Sequence, residues 1–186
     1  LERHPGLSVH IGEGDRFVDL VREGVDCVVR AGTLPDSDMI ARRIGMAREA
    51  TPDSATYVER HGLPRNLDEL AGHMMIGFVS SRTGQVMPLE FAVDGKIREI
   101  VLPSRVTVSN SDTAATLVRQ GFGLYQAPRR RFAADIDAGR LVEVLPDNPP
   151  TPTPISVLYP RSRQLSPRVR VFVDWLVDIL GPKLDP

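Results

Sequence analysis

The chain has 186 residues, 41% of them hydrophobic and 25% charged, with a formal net charge of −1. That balance belongs to a globular protein with a sizeable core, and it excludes a basic nucleic-acid-binding face spread over the chain. No apolar run approaches the ~20 residues of a membrane span, and the single cysteine, Cys27, excludes an internal disulfide and reads as an inert thiol in a reduced, cytoplasmic setting.

Residues 1–6 read as the tail of a helix closed by the Pro5-Gly6 turn, so the sequence is expected to enter in the middle of an element. Leu7, Val9 and Ile11 alternate with Ser8 and His10 and predict a strand. Phe17, Leu20 and Val21 follow at helical spacing, with Gly24 where a left-handed residue ends a helix. Cys27-Val28-Val29 then predicts a strand covered on both faces. Together these pieces are expected to form a parallel strand, helix, strand unit. Ligands of such sheets lie beyond the carboxyl ends of the strands, here residues 12–15 and 30–33.

Residues 34–37 read as a turn, 39–44 as a strand and 45–52 as a charged connector. Short helices are expected at 58–62 and 67–72 around Pro64, and a strand at 74–79. Residues 89–93 and 96–102 predict a hairpin about Asp94-Gly95, a pair that supplies the positive φ values of a type I′ turn. A strand at 106–109 runs into Asn110-Ser111-Asp112-Thr113 and a helix that Gly121 stops. Strands are expected at 122–126, at the alternating stretch 139–146 and at 155–159, with a proline-rich linker at 148–154. Ser166-Pro167 opens a final helix with an apolar stripe of Val169, Phe172, Val173, Leu176, Val177 and Leu180. The two connectors bracket a middle region with its own strands and helices. An α/β chain that leaves a sheet, builds a second lobe and returns is expected to have two hinge strands and a ligand cleft between its lobes.

Candidate site residues follow from that plan. Arg30 and Gly32 stand at the end of a strand, where a guanidinium forks onto a carboxylate; the alternative is a structural salt bridge to Asp26, Asp36 or Asp38. Asn110, Ser111 and Asp112 open a helix directly after a strand. Such an end binds anions through free amides and the helix dipole; the alternative is ordinary capping by Ser111. Thr33, Ser80 and the adjacent Ser81 offer hydroxyls, and Gln126 an amide. Arg129-Arg130-Arg131 and Arg42-Arg43 are too short for a phosphate track and read as solvated faces or subunit contacts. His4, His10, His61 and His73 lack metal-ligand spacing and read as turn and surface residues. No nucleophile is paired with a base, so no catalytic residue, metal or cofactor is assigned.

Several local patterns, in order, resemble the effector-binding domains of LysR-type transcriptional regulators: Val18-Asp19-Leu20, Gly24-Val25-Asp26 and Arg30-Ala31-Gly32; Tyr57, His61-Gly62, Pro64, Asp68-Glu69-Leu70 and His73; Gly121-Phe122-Gly123 with Pro128; Gly139-Arg140-Leu141-Val142 with Leu145-Pro146; Tyr159-Pro160-Arg161; and residues 165–174. The resemblance implies a two-lobed fold like that of type 2 periplasmic binding proteins. Lobe I would be residues 1–50 with 152–186, lobe II residues 51–151, joined by two hinge strands around Ala50, Thr51 and Pro152. It implies a small organic, anionic effector, a homo-oligomer that is a dimer or tetramer, and DNA binding only through an N-terminal winged helix-turn-helix absent from this chain. The family's first strand of lobe I is expected to be missing. The unpaired sheet edge this leaves favours association, expected as a dimer. The stretch 48–54 departs from the family's apolar hinge strand.

Two rival readings accompany the sensory module. One is a solute-binding protein or small-molecule enzyme on the same scaffold, marked by a secretion signal or by turnover. The other is a truncated assembly module that pairs with partners without sensing.

Overall fold

The computed structural model describes residues 2, 5–16, 18–34, 38–163 and 166–184. The chain divides into two compact units, Leu1–Met46 with Pro154–Pro186, and Ala47–Thr153. It passes from one to the other within two strands.

In the first unit, strands β1 (Val28–Ala31), β2 (Met39–Ala47, whose last residue enters the second unit) and, late in the chain, Thr153–Pro160 form a sheet in the order β1, late strand, β2. β1 runs antiparallel to the late strand, with Val28 opposite Leu158 and Ala31 opposite Ile155. The C-terminal helix, Pro167–Leu180, starts with proline at its first position, where a missing N–H costs nothing. It buries Val169, Val173 and Leu176 against Val157, with Cys27, Ile44 and Tyr159 packed around them. Arg168 pairs with Asp26 at 2.8 Å and Arg42 with Asp174 at 2.6 Å.

Two expectations for this unit are corrected. Residues 7–14 form no strand, and β1 is antiparallel to its neighbour rather than the second strand of a parallel unit. The predicted helix is reduced to a single turn, with Phe17 outside the described residues. The turn still ends as its glycine dictates: Gly24 takes φ 68°, Val25 N–H donates to the Leu20 carbonyl at 2.9 Å, and Gly24 N–H to that of Val21 at 3.4 Å. That paired closure is the glycine-terminated helix end. Residues 35–37 of the predicted turn, His4 and Leu165 also lie outside the described residues.

The second unit begins with β3 (Glu49–Ala50), β4 (Pro52–Ser54) and α1 (Ala55–His61), then a 3-10 turn at Asp68–Gly72. β5 (Gly77–Phe78), the hairpin of β6 (Leu89–Val93) and β7 (Lys96–Ile100), and β8 (Thr107–Val108) follow. Next come α2 (Ser111–Arg119), β9 (Ala127–Pro128), α3 (Ala133–Asp137) and β10 (Leu141–Glu143). The chain then enters β11 (Thr153–Pro160) and, in the first unit, α4 (Pro167–Leu180). β5 and β8 are parallel; β3 with β9 and β4 with β10 are antiparallel pairs. The hairpin turns on Asp94 (φ 49°) and Gly95 (φ 74°), the left-handed pair the sequence predicts. Two apolar clusters hold the unit. Leu70, Met75, Phe91 and Leu124 centre one, and Ile76, Val118, Phe132 and Leu141 the other.

Residues 45–52 are core rather than a charged connector: Gly45 and Ala47 are buried in β2 beside β11, and residues 50–54 are buried where β3 and β4 pair with β9 and β10. The Arg48 carbonyl accepts from Arg129 N–H at 2.8 Å, which extends the β3–β9 pairing by one bond. The proline-rich stretch is likewise fastened, since Asn148 Nδ2 donates to the Ala92 carbonyl at 2.8 Å and Ala92 N–H to that of Pro149 at 3.1 Å. His73 is buried rather than superficial, at 5% exposure. It packs beside Tyr57, whose ring also stacks on His61 at 4.3 Å between centroids. Burial, reinforced by His61, pushes the His73 imidazole below its ordinary pKa.

Candidate functional site

Three segments run parallel in the second unit, and their carboxyl ends gather polar side chains. The middle one, residues 74–79, exchanges bonds with Leu124 on one side: Leu124 N–H donates to the Met74 carbonyl and Ile76 N–H to that of Leu124, each at 2.9 Å. On the other side, Gly77 N–H donates to the Val106 carbonyl at 3.0 Å and Val79 N–H to that of Val108 at 2.7 Å. Close packing demands glycine here, since a Cβ on Gly123 would stand 2.6 Å from the Met74 carbonyl oxygen. Just past the three ends stand Ser80, Asn110 and Gln126. This is the place where open parallel sheets present ligands.

Ser80 anchors a tight turn, its Oγ accepting from the N–H groups of Arg82 (3.3 Å) and Thr83 (3.4 Å) and its carbonyl from Gly84 N–H at 2.8 Å. Asn110, not Ser111, caps α2. Its backbone is extended (φ −126°, ψ 127°), as a cap requires, whereas Ser111 is already helical. Asn110 Oδ1 accepts from Asp112 N–H at 3.1 Å and Thr113 N–H at 2.9 Å. The Asp112 carboxylate forms an ion pair with Arg131, so one acidic charge at the helix mouth is matched by a guanidinium.

Gln126 spends its amide internally. Its Oε1 accepts from Glu90 N–H at 2.7 Å, and its Nε2 donates to the Glu90 carbonyl at 2.7 Å and to Thr51 Oγ1 at 2.8 Å. Thr51 is almost fully buried, at 2% exposure. Two positions before it on the chain, the Glu49 side chain is hydrogen-bonded to Thr153 and lies in the fields of Glu90 and Arg131. Burial, with the like charge of Glu90, pushes the Glu49 carboxyl up to about 7 against the pull of Thr153 and Arg131. Glu49, Glu90 and Arg131 are absent from the sequence-derived candidates. Glu90 sits in an ordinary hairpin alternation, and nothing in the sequence separates Arg131 from its two neighbours.

The remaining candidates lie elsewhere. Arg30, Gly32 and Thr33 belong to the first unit. Arg30 Nη2 donates to the Arg16 carbonyl at 2.6 Å, and burial draws its guanidinium pKa down against Asp15. Gly32, at φ 98°, donates its N–H to the Pro154 carbonyl at 2.9 Å and so ties the end of β1 to β11; Thr33 is exposed. Of the hinge candidates, Ala50 is buried in β3 opposite Ala127, Thr51 is gripped by Gln126, and Pro152 is exposed just before β11. All three belong to the second unit. Among the described residues no group of His, Cys, Asp and Glu is arranged to hold a metal ion, and no helix is long and apolar enough to cross a membrane.

Residues 1–181 match the sequence profile of the LysR substrate binding domain. The chain is 33% identical over 182 residues to the uncharacterized HTH-type transcriptional regulator YhjC of Escherichia coli K12, covering 98% of this chain and 61% of that protein. It is 28% identical over 184 residues to the HTH-type transcriptional regulator CrgA of Neisseria meningitidis MC58, covering 98% and 60%. The solved CrgA regulatory domain matches with a TM-score of 0.82 and 28% identity, over 97% of this chain and 87% of that one. This chain spans about three fifths of the length of these two curated relatives. A family profile over residues 1–181, two α/β units and a matching regulatory domain converge: the chain belongs to the LysR-type transcriptional regulators, as their effector-binding domain.

Proposed function

We propose that this domain senses a small organic anion and transmits its binding to a DNA-binding winged helix-turn-helix borne by a longer cytoplasmic regulator, working as a dimer or tetramer. Residues 1–50 with 152–186 and residues 51–151 are assigned as its two regulatory subdomains, with Ala50, Thr51 and Pro152 as the hinge. The observation that carries the reading is the convergence of Ser80 and the Asn110-capped start of α2 at the carboxyl ends of the parallel pair β5 and β8. A helix mouth in that position attracts a carboxylate, and Arg131 offsets the charge of Asp112 beside it. Ser111 supplies a further polar group to the helix start, and Arg30, Gly32 and Thr33 are the effector contacts proposed on the first unit. Coupling to DNA binding requires the ligand to bind the regulator's two states with different affinity.

The test is a thermal melt against small carboxylates, aromatic acids and phosphates. Saturation at a hundredfold excess over Kd adds about 2.7 kcal/mol, which for a chain of this size raises the midpoint by roughly 5–10 °C. One ligand class is expected to do so, and Ser80→Ala is expected to diminish the shift. A transition blind to the whole panel counts against sensing and leaves an assembly role.

A further inference from the structure

We propose that α4 carries a self-complementary seam for a second copy of this chain: two α4 helices pack antiparallel about a two-fold axis level with Val173, so that Val171 of each meets Trp175 of the other and Arg168 of each meets Asp178 of the other. The helix is apolar on two sides. One side is spent on the core of the first unit, through Val169, Val173 and Leu176. Successive residues turn by about 100°, which puts Arg168, Val171, Trp175 and Asp178 on a different side, at the alternating three- and four-residue spacing of a helix–helix seam. Ile179 flanks it. Val171, Trp175 and Ile179 are exposed by 40%, 50% and 39%. The Trp175 indole is set by the Phe172 ring, 5.6 Å away between centroids, and Phe172 packs against the core of the unit.

Three features select a second copy as the occupant. The seam has a cation at its first end and a carboxylate at its last, placed symmetrically about Val173. An antiparallel copy therefore brings opposite charges together at both ends, where a parallel one stacks like on like. Arg168 is held by Asp26 through Nη2 at 2.8 Å, and a guanidinium has further N–H donors for a second carboxylate. The same register also lays Ile179 of one copy over Pro167 of the other, at a groove of about 330 Å³ lined by Gly6, Leu7, Pro167, Arg168 and Val171. Finally, a two-fold contact uses one surface twice and closes on itself, with a tryptophan in its middle, where interface energy concentrates. Asp174 stays outside the seam, committed to Arg42 at 2.6 Å. This interface rests on the homo-oligomer proposed above and not on effector sensing.

Trp175 is the only tryptophan of the chain, so its fluorescence reports on the seam directly. The full chain is followed by sedimentation equilibrium and by tryptophan emission over one dilution series. We expect a monomer–dimer equilibrium in which emission moves to the blue as dimer forms. D178R sets like charges at both ends of the seam and is expected to weaken the dimer about tenfold or more; R168D/D178R restores opposite charges and is expected to recover it. A monomer at every concentration overturns the proposal, as does a D178R dimer of undiminished strength. A dimer with unchanged tryptophan emission also overturns it, placing the contact on another face while the homo-oligomer stands. An indole already blue-shifted in the monomer overturns it too, since the chain's own residues then cover the stripe. Failure to find a ligand in the melt panel counts against sensing and leaves this test unaffected.

Discussion

Gln126 holds the backbone of Glu90 at both of its polar groups, accepting from the N–H and donating to the carbonyl at 2.7 Å each. The side-chain amide thus serves as one more strand residue on the outer edge of β6, and its second N–H reaches the buried Thr51 hydroxyl. Gln126→Ala leaves half-buried backbone groups without these partners and is expected to destabilise the chain by about 1–3 kcal/mol. Gln126→Glu keeps the acceptor, loses both donors and adds a charge beside Glu90. It is expected to cost at least as much at neutral pH and to recover in acid. Urea unfolding at pH 5 and 7.5 checks both.

Asn110 caps the start of α2. Asn110→Ala removes acceptors from two amides and is expected to cost about 1 kcal/mol, within the range measured for caps. Ser111→Ala is expected to cost less in unfolding measurements, because Ser111 is already helical.

Asp53 sets a pH dependence of stability. It is fully buried; its Oδ1 accepts from Ser54 N–H at 2.7 Å, and burial pushes the carboxyl up to about 7 from an ordinary 3.8. Between those values the folded chain keeps a proton that the unfolded chain has lost. Stability from this group is full below the unfolded value and declines as pH rises towards 7, by at most about 1.4 kcal/mol per pH unit. Glu49 acts in the same direction. Asp53→Asn retains the acceptor for Ser54 N–H and is expected to flatten the slope by up to one proton in denaturation midpoints taken from pH 4 to 8.

Gly123 lies at φ 132° with the Met74 carbonyl beneath it. Gly123→Ala must displace backbone in the middle of the parallel segments, and overpacking of this kind costs about 1–3 kcal/mol. The expected loss is at or above the top of that range because backbone strain adds to it. Gly139→Ala serves as the comparison, since Gly139 has a positive φ (70°) but open space around its Cβ position. The difference in melting midpoint between the two variants isolates the steric part.

Local codes in the sequence determined the hairpin, the glycine stops at Gly24 and Gly121, and the proline start of α4. Each depends on a few adjacent residues with restricted backbone preference, as Asp94-Gly95 illustrates. The ordered family motifs likewise carried the family assignment, because they are read along the chain. Pairing partners were not legible. The alternation at residues 7–11 is compatible with a strand, yet a strand exists only where a second one supplies its hydrogen bonds, and β1 found its partner in β11, about 130 residues away. The charged stretch at 45–52 reads as a connector because burial there depends on β9, β10 and β11, which lie far along the sequence. The same separation hid Glu49, Glu90, Thr51, Arg131 and Thr153 from one another. Sequence by itself determined the hairpin turn, the glycine stops and the family; tertiary structure decided strand partners, the burial of His73 and Asp53, and which charges meet, since those quantities arise only from contacts between distant segments.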